Sequence, residues 1–504
     1  MVEEEKNGDE CEISPAELSS KPQTTLSGVI DLLGYGLFHV QLSLAAGLAF
    51  LADAMEMMIL SVLAPALHCS DWNVTKSQLA FLTTMVFLSM AISSPIWGAI
   101  SDSYGRRKSL IASSVLLMIF GMVTAFSPTF KALVALRFIC GCFISCMPQC
   151  VTILVEYLPS GHRGTANIAM ALIWAVGGTL TILLAWASIP AWEYGWRILI
   201  ALCVLPIGAF LLFSFMIPES LLFLEKKGRT MEAQQILQSV AKTNKRLDLL
   251  EGINIRFRKI NGQNEKTTIT NKFIEKVSEI SQLLQRGRRI NTFLIWLIGI
   301  LCGIIYYGVV LFATELTMKG NEGQVNATAN SSGCHSLTSS DYISLLWTSL
   351  AEFPATFISL YVMDIIGRKS TFAINSGVFT LSLILIAFGS ESFGSTAITV
   401  LLFIARGTAV SYTWIYFVYV PEAYPTEIRS IAFGVGSTCL RIGGMITPFI
   451  AQVMMENSEI LAFGVYILMG IVGTIAPMLL PTETKGIDLS SPESYRLLGD
   501  HSPK

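Results

Sequence analysis

The sequence contains 504 residues, of which 52% are hydrophobic and only 14% are charged, and its net charge is −2. Soluble domains carry about 25% charged residues, so this composition excludes an ordinary soluble protein. Lysine and arginine lie at the ends of apolar runs and form no basic stripe with interleaved aromatic residues, which argues against nucleic-acid binding.

Twelve apolar runs follow one another along the chain. Each has the roughly 20 residues that a helix needs to cross a hydrocarbon core of about 30 Å. The runs lie at about 40–67, 77–100, 109–127, 131–155, 165–187, 197–217, 290–316, 341–361, 371–390, 397–420, 431–454 and 460–480. The predicted fold class is therefore an all-α membrane protein with twelve transmembrane helices.

A polar insert divides the runs into two groups of six. The predicted parts are an N-terminal tail at 1–39, a first six-helix bundle at 40–217, an insert at 218–289, a second bundle at 290–480 and a C-terminal tail at 481–504. The insert contains Lys226-Lys-Gly-Arg and then Met231-Glu-Ala-Gln-Gln-Ile-Leu, a pattern typical of short amphipathic helices at a membrane surface. We expect it to connect the bundles without forming a globular domain.

The distribution of cations predicts the orientation, because cytoplasmic loops carry an excess of lysine and arginine. With both termini in the cytoplasm, the outer loops hold only Lys76, Lys131 and Lys319, with Arg197 at an outer boundary. The short inner loops hold Arg106, Arg107, Lys108, Arg163, Arg368, Lys369 and Arg429. The acidic, polar start of the chain has no basic segment before an apolar run, so no cleaved signal peptide is predicted.

The outer loop at 317–340 carries two glycosylation sequons, at Asn326 and Asn330. Cys69 and Cys334 also fall in outer loops, and they could form a disulfide in an oxidising compartment. The sequons and the cation distribution thus assign this loop to the same side of the membrane.

Three cysteines, Cys142, Cys146 and Cys150, share one face of a predicted helix. This spacing would suit a metal site, but no histidine or acidic residue joins them. We interpret them as small residues that let neighbouring helices pack closely. No metal ion and no cofactor is predicted.

A charged turn between the second and third runs is repeated in the other half of the chain. The first copy reads Gly98-x3-Asp102-x2-Gly105-Arg106-Arg107-Lys108, and the second reads Asp364-x2-Gly367-Arg368-Lys369, 262 positions later. A second motif places proline three positions and arginine seven positions after Glu156 and after Glu422. Pro218-Glu219 and Pro481-Thr-Glu483 then close the two halves, so the sequence predicts two parallel six-helix repeats.

These motifs resemble those of the major facilitator superfamily over about residues 40–487, and in particular its sugar-porter and organic-ion-transporter branch. Asp53-Ala-Met-Glu56 in the first helix and Trp347-Thr-Ser-Leu-Ala-Glu352-Phe-Pro in the eighth resemble the synaptic-vesicle-two-related proteins more closely. Leu222 stands where sugar porters usually have arginine, which argues against a sugar substrate. The resemblance implies a binding cavity between the halves and alternating access by rocking of one half against the other.

The resemblance also implies that charged residues on the inner face form a cytoplasmic gate between the two bundles. The gate candidates are Gly98, Asp102, Gly105, Arg106, Arg107, Glu156, Arg163, Glu219, Asp364, Gly367, Arg368, Glu422, Arg429 and Glu483. The alternative is a solvated charged rim, in which such pairs are worth little. Since the second copy has Leu360 where the first has Gly98, we expect the first copy to be the stronger gate.

Six ionisable residues lie well inside predicted spans, where insertion costs roughly 2.5–3.5 kcal/mol for each. They are Asp53, Glu56, Arg137, Glu352, Arg406 and Arg441. Asp53 and Glu56 are three positions apart, so two carboxylates would share one site and could carry a proton. The alternative is structural pairing with arginines such as Arg137.

Arg441 is the candidate that bears on substrate charge. In organic-ion transporters its position resembles the one where anion carriers have arginine and cation carriers have aspartate. A guanidinium in a cavity would bind a carboxylate or sulfonate through two hydrogen bonds. The alternative is an ion pair with Glu352 or Asp53. Among the aromatic residues, Tyr306 and Trp347 are candidates for lining the cavity.

The function predicted is secondary transport of small organic ions, with a preference for organic anions, by alternating access. The chain is not expected to be an enzyme, because no nucleophile–base pair or metal cluster is present. It also has no Walker-type glycine-rich loop for an ATP-driven pump. The alternative function is a non-transporting membrane receptor or vesicle scaffold that retains the transporter fold.

The C-terminal tail carries an acidic dileucine pattern, Glu493-Ser-Tyr-Arg-Leu497-Leu498, of the kind read by clathrin adaptors. It would place the protein on vesicles, and the plasma membrane is the alternative. The predicted partners are thus a small organic ion, the lipid bilayer and a clathrin adaptor, and the protein is expected to be a monomer.

Overall fold

The computed structural model is a bundle of long helices. It describes residues 23–70, 72, 74–251, 254–256, 280–285, 287–325, 337–389, 393–425 and 428–485. In this part of the chain, twelve helices are long and apolar enough to cross a membrane. They are α1 (Leu37–His68), α2 (Lys76–Tyr104), α3 (Arg106–Ala125), α4 (Phe130–Tyr157), α5 (Ser160–Ser188), α6 (Gly195–Met216), α7 (Arg289–Met318), α8 (Ser339–Ile366), α9 (Arg368–Gly389), α10 (Ser395–Glu422), α11 (Arg429–Asn457) and α12 (Glu459–Met478). The predicted fold class is confirmed.

Three of these helices are interrupted next to a proline, which lacks the N–H that continues the helical hydrogen-bond ladder. In α4 a turn ends at Pro148, and in α11 a π-helical turn, Phe449–Met454, follows Pro448. In α8 the break falls at Ala351, three residues before Pro354. This break places Glu352 in the first turn of the second helical segment, in the middle of the span.

The six helices α1–α6 form one bundle and α7–α12 form the other. The two bundles meet along a seam in which α2 packs against α11 and α5 packs against α8. Gly444 of α11 lies against the ring of Phe87 of α2, where a Cβ atom would come within 2.7 Å of the ring. Small residues at such positions let two helices approach closely inside a membrane.

The insert contains short helices at Leu221–Lys226, Thr230–Thr243 and Asp248–Glu251. The second buries one apolar face, formed by Ala233, Leu237, Val240 and Ala241, as its amphipathic pattern predicts. A preceding helix, Leu26–Leu33, follows strand β1 (Gln23–Thr25), which pairs in parallel with β2 (Asn254–Arg256). The insert therefore packs against the segment that leads into α1.

We call the side of the bundle that carries this segment the insert side. The seam is closed on the opposite side, because side chains from both bundles meet there. Lys76 Nζ of α2 donates to Glu315 Oε2 of α7 at 2.9 Å, and Trp186 Nε1 of α5 donates to Ser339 Oγ of α8 at 3.3 Å. Cys69, also on that side, is disulfide-bonded.

Candidate functional site

The first bundle holds a buried ion pair between α1 and α4. Arg137 Nη1 donates to Glu56 Oε2 at 2.6 Å, and the two side chains are 1% and 0% exposed. Oppositely charged partners offset the cost of burying each charge in a membrane. Of the two readings of the first-helix carboxylates, Glu56 therefore fits structural pairing with Arg137.

The second bundle holds a corresponding pair between α8 and α10. Arg406 Nε donates to Glu352 Oε1 at 2.9 Å, and Glu352 Oε2 has no hydrogen-bond partner. This pair reaches the seam, because Tyr306 OH donates to Glu352 Oε1 at 3.4 Å and accepts from Trp174 Nε1 of the first bundle at 2.6 Å. Arg406 Nη2 also lies 3.7 Å from the Met58 sulfur of α1.

Asp53 and Arg441 remain after these two pairs have formed. Asp53 of α1 is 4% exposed, and its Oδ1 has no hydrogen-bond partner. Arg441 of α11 is 5% exposed, and its Nη1 donates to two hydroxyl groups, Ser437 Oγ at 3.0 Å and Ser94 Oγ at 3.3 Å. The carboxylate and the guanidinium interact electrostatically across the seam, without a direct hydrogen bond between them in the described contacts.

Aromatic rings line the seam near these charges. Phe87 of α2 and Tyr307 of α7 are in edge contact, with ring centroids 4.7 Å apart. Phe50 and Trp414 approach across the seam at 6.3 Å. Trp347, a predicted lining residue, is 58% exposed and takes no part in the ring contacts or hydrogen bonds described for this centre. The structure thus brings Tyr306 to the centre and leaves Trp347 on the surface.

The gate candidates of the first half form one compact cluster. Arg106 pairs with Glu156, and Ser220 Oγ donates to Glu156 Oε2 at 2.5 Å. Glu219 Oε1 accepts from the backbone N–H groups of Arg106 at 2.8 Å and Arg107 at 3.1 Å. These N–H groups belong to the first turn of α3, which has no intrahelical partner for them, so the carboxylate caps the helix.

The second half repeats this cluster residue by residue. Arg368 Nε donates to Glu422 Oε2 at 3.0 Å, and Thr484 Oγ1 donates to the same oxygen at 2.6 Å. Glu483 caps α9 by accepting from the backbone N–H groups of Arg368 at 2.8 Å and Lys369 at 3.0 Å. The internal repeat seen in the sequence is therefore a repeat of side-chain geometry.

Two glycines make these turns possible. Gly105 has φ +108° and Gly367 has φ +95°, a region of backbone space that disfavours residues with a Cβ atom. A Cβ atom would also meet the capping carboxylates, Glu219 beside Gly105 and Glu483 beside Gly367. Each glycine thus ends one span and lets the next begin with its N–H groups turned toward an acid.

The ion pairs described for the gate candidates lie within each bundle, whereas the resemblance implies a network between bundles. The contacts stay within each bundle because Glu156 and Glu422 each pair with the arginine of the turn in their own half. Asp364 pairs with Arg368 at 3.2 Å but is 70% exposed. Asp102 takes part in a further contact, and the carbonyl of Gly98 accepts from Ser101 Oγ one turn before it.

On the insert side, Arg163 follows the first turn of α5, Ser160–His162, and Arg429 begins α11. Arg429 Nε donates to the carbonyl of Tyr424 at 3.4 Å, and the Tyr424 hydroxyl donates to Thr292 Oγ1 at 3.1 Å. Burial raises the pKa of Tyr424 to about 12, so this hydroxyl keeps its proton at neutral pH. These contacts also stay within the second bundle.

The pair Lys76–Glu315 was not predicted from the sequence, and it is the one ion pair among those described that joins the two bundles. Ser220 and Thr484, which donate to Glu156 and Glu422, were not predicted either. The sequence did contain a signal for these two residues, because a serine or threonine directly follows the closing glutamate, Glu219 or Glu483, in both halves. The pairing of Lys76 with Glu315 was also indicated by the sequence, because the two opposite charges lie at the same predicted edge of the membrane.

Several predicted sites lie outside the described residues. They are the sequons at Asn326 and Asn330, Cys334, and the sorting pattern at Glu493, Leu497 and Leu498. Within the described part of the chain, Cys142, Cys146 and Cys150 are free thiols, and no cluster of histidine, cysteine and acidic side chains could hold a metal ion.

Comparison of the sequence with known proteins points to one family. The family described as sugar (and other) transporter matches residues 49–494. The synaptic vesicle 2-related protein of Xenopus laevis is 36% identical over 493 residues, which cover 96% of this chain and 86% of that protein. The organic cation/carnitine transporter 7 of Arabidopsis thaliana is 32% identical over 491 residues, which cover 92% of this chain and 96% of the relative.

The fold also matches a solved transporter structure. A partially occluded inward open structure of the xylose transporter XylE from E. coli superposes with a TM-score of 0.68 at 16% identity, covering 89% of this chain and 99% of that one. The two six-helix repeats, the repeated charged clusters in both halves and the family match agree with one another. The chain belongs to the sugar (and other) transporter family of the major facilitator superfamily, whose members are transporters and not enzymes.

Proposed function

We propose that this protein is a secondary transporter that carries small organic ions with a carboxylate or sulfonate group by alternating access. The observation that carries the proposal is Arg441. It is buried at the seam and donates to neutral hydroxyls, and among the described ion pairs it takes part in none. A buried guanidinium without a paired acid is a strong site for an anionic ligand group.

The neighbouring charges support this assignment of Arg441. Arg441 has two candidate ion-pair partners. Glu352 is hydrogen-bonded to Arg406, and Asp53 lies across the seam without a direct hydrogen bond to Arg441. Because α2 and α11 carry Ser94 and Arg441 from opposite bundles, rocking of the bundles would separate these groups. A ligand held by Arg441 would therefore be exposed to one side of the membrane at a time.

The organic-ion class is further supported by relatives. The Arabidopsis relative is named for organic cations and carnitine. Leu222, at the place where sugar porters have arginine, is 52% exposed beside the first gate cluster. We therefore favour organic ions over sugars as the substrate class.

Uptake into proteoliposomes tests the proposal. The purified protein is offered a broad panel of labelled organic anions, cations and zwitterions, with and without a pH gradient. We expect uptake of at least one carboxylate or sulfonate, and we expect Arg441→Asp to abolish it. Uptake at full affinity by Arg441→Asp would contradict the anion site. If the whole panel stays outside, the receptor or scaffold alternative replaces transport.

The same experiment addresses coupling. Since Glu56 is paired with Arg137, Asp53 is the first-helix carboxylate left to respond to the substrate or to a proton. If a proton gradient drives uptake through this carboxylate, wild type responds to the gradient and Asp53→Asn does not. Gradient-driven uptake that survives in Asp53→Asn would remove Asp53 from the coupling mechanism.

We place the protein in a vesicle membrane with its insert side in the cytoplasm. Support comes from the name of the Xenopus relative, from the cation distribution and from the dileucine pattern at Glu493, Leu497 and Leu498. Replacing Leu497 and Leu498 by alanine is expected to shift a tagged protein from vesicles to the cell surface. An unchanged vesicular distribution would show that clathrin adaptors do not read this tail.

A further inference from the structure

The charges buried at the centre of the membrane divide into closed pairs and an open pair. Glu56 with Arg137 and Glu352 with Arg406 are closed, because each is joined by a direct hydrogen bond. Asp53 and Arg441 form the open pair. One is a carboxylate of the first bundle and the other a guanidinium of the second, so the seam runs between them.

Each member of the open pair lacks a charged partner at hydrogen-bond distance. Asp53 is 4% exposed and its Oδ1 has no partner, while Arg441 donates to the hydroxyls of Ser94 and Ser437. Their charges still act on one another through the space between them. Buried charges are normally in direct contact with an opposite charge, as in the two closed pairs. Two buried opposite charges that lie on either side of a seam without such contact point to a ligand that provides it for both.

Besides the serine hydroxyls on Arg441, aromatic side chains lie near the open pair. Phe87 and Tyr307 are in contact across the seam, and both line a small cleft with Met57, Met58 and Leu311. Tyr307 also interacts electrostatically with both Asp53 and Arg441. Aromatic faces attract organic cations, above all quaternary ammonium groups, which are weakly hydrated and cannot donate a hydrogen bond.

Charge balance decides among the kinds of organic ion. A simple anion on Arg441 would bring a second negative charge next to Asp53, and a simple cation on Asp53 would bring a second positive charge next to Arg441. A ligand with both charges compensates both residues at once. We propose that the site binds a zwitterion, whose anionic group is held by Arg441 and whose cationic group lies between Asp53 and the Phe87–Tyr307 rings.

This inference rests on the proposed transport function and narrows its substrate class. It also explains why an acid and a base face each other from different bundles. A bound zwitterion would join the two bundles through its own two ends, so the ligand itself would contribute to closing the seam around it. A competing explanation is that Asp53 is protonated when a simple anion binds to Arg441, and the experiment must separate the two.

The probes are three matched series of small molecules with two to five methylene groups. The zwitterions are ω-trimethylammonio carboxylates, the cations are their methyl esters, and the anions are ω-tert-butyl carboxylates of the same shape. Binding to the purified full-length protein is measured by ligand-dependent thermal stabilisation and by calorimetry in two buffers of different ionisation enthalpy. The second measurement counts the protons taken up on binding.

We expect one zwitterion to bind at least about tenfold more tightly than both of its isosteres, without proton uptake. Asp53→Asn should erase the preference for zwitterion over anion, and Arg441→Gln should erase the preference for zwitterion over cation. If Arg441→Gln does not fold, the result for Asp53→Asn alone tests whether the site binds a zwitterion. Glu232→Gln, at an exposed ion pair in the insert, is the control and should keep the wild-type preference.

Three results would overturn the inference. The first is an anion isostere that binds as tightly as the zwitterion with uptake of one proton, which would make Asp53 a proton site. The second is an unchanged preference in Asp53→Asn. The third is that the protein transports other organic ions but binds no zwitterion. In that case the proposed transport function stands and the zwitterion site does not. Absence of any transport would instead remove the proposed function itself.

Discussion

Lys76 Nζ and Glu315 Oε2 lie 2.9 Å apart and join the two bundles on the side opposite the insert. The side chains are only 17% and 8% exposed, so water screens this pair less than a surface ion pair. Rocking of the bundles to open this side would have to break the contact. The pair therefore stabilises the state in which the seam is closed there.

Removing this pair should shift the conformational equilibrium. We expect Lys76→Ala or Glu315→Gln to cost the closed state about 1 kcal/mol, which is a shift of about fivefold in the ratio of closed to open molecules. A cysteine at Ser61, which lines the cleft at the seam, should then react faster with a membrane-impermeant maleimide added from that side.

The charge-reversed double variant Lys76→Glu with Glu315→Lys should restore slow labelling of that cysteine. Arg229→Ala provides the control, because it breaks an exposed pair with Glu232 in the insert and should leave the rate unchanged. Equal labelling rates in wild type and Glu315→Gln would show that the pair does not hold the closed state.

Breaking a closed pair in the membrane centre should be severe. Arg137→Gln leaves the Glu56 carboxylate buried without its cation, so we expect a loss of about 3–5 kcal/mol in the free energy of unfolding. The double variant Glu56→Gln with Arg137→Gln buries no charge and should be more stable than the single variant. Thermal unfolding of the purified proteins measures both, and a double variant no more stable than the single one would contradict the argument.

The two turn glycines should resist substitution. Gly105→Ala and Gly367→Ala place a Cβ atom in an unfavourable backbone conformation and against a capping carboxylate, so each should cost about 1–3 kcal/mol of stability. Gly434→Ala is the control, since a Cβ atom there meets nothing within 4 Å and alanine favours the helix. Wild-type melting temperatures in both turn variants would contradict the role of the positive φ angles.

The two copies of the charged turn should differ in their effect on transport. Asp364 is 70% exposed and pairs with an arginine of its own turn, an arrangement that contributes little in water. Asp102 is partly buried and engaged in a contact. We therefore expect Asp102→Asn to slow uptake in proteoliposomes and Asp364→Asn to leave it nearly unchanged. The reverse order would show that the second copy is the stronger gate.

Local sequence properties determined the scaffold. The twelve spans follow from hydrophobicity, because a helix of about 20 apolar residues matches the hydrocarbon core and satisfies its own backbone hydrogen bonds there. The turns at Gly105 and Gly367 and the acids at Glu156 and Glu422 were visible as repeats at nearly constant separation. Those residues do lie together, since each cluster is built from helix ends on one side of one bundle.

The tertiary structure decided which charges pair. Asp53 and Glu56 are three positions apart in the sequence and are equally plausible as partners of Arg137. In the structure, Glu56 forms the ion pair with Arg137, and Asp53 interacts electrostatically with Arg441. The choice depends on the rotation of α1 about its axis and on its packing against α4 and the opposite bundle. No local pattern encodes that rotation, because it results from contacts between helices far apart in the chain.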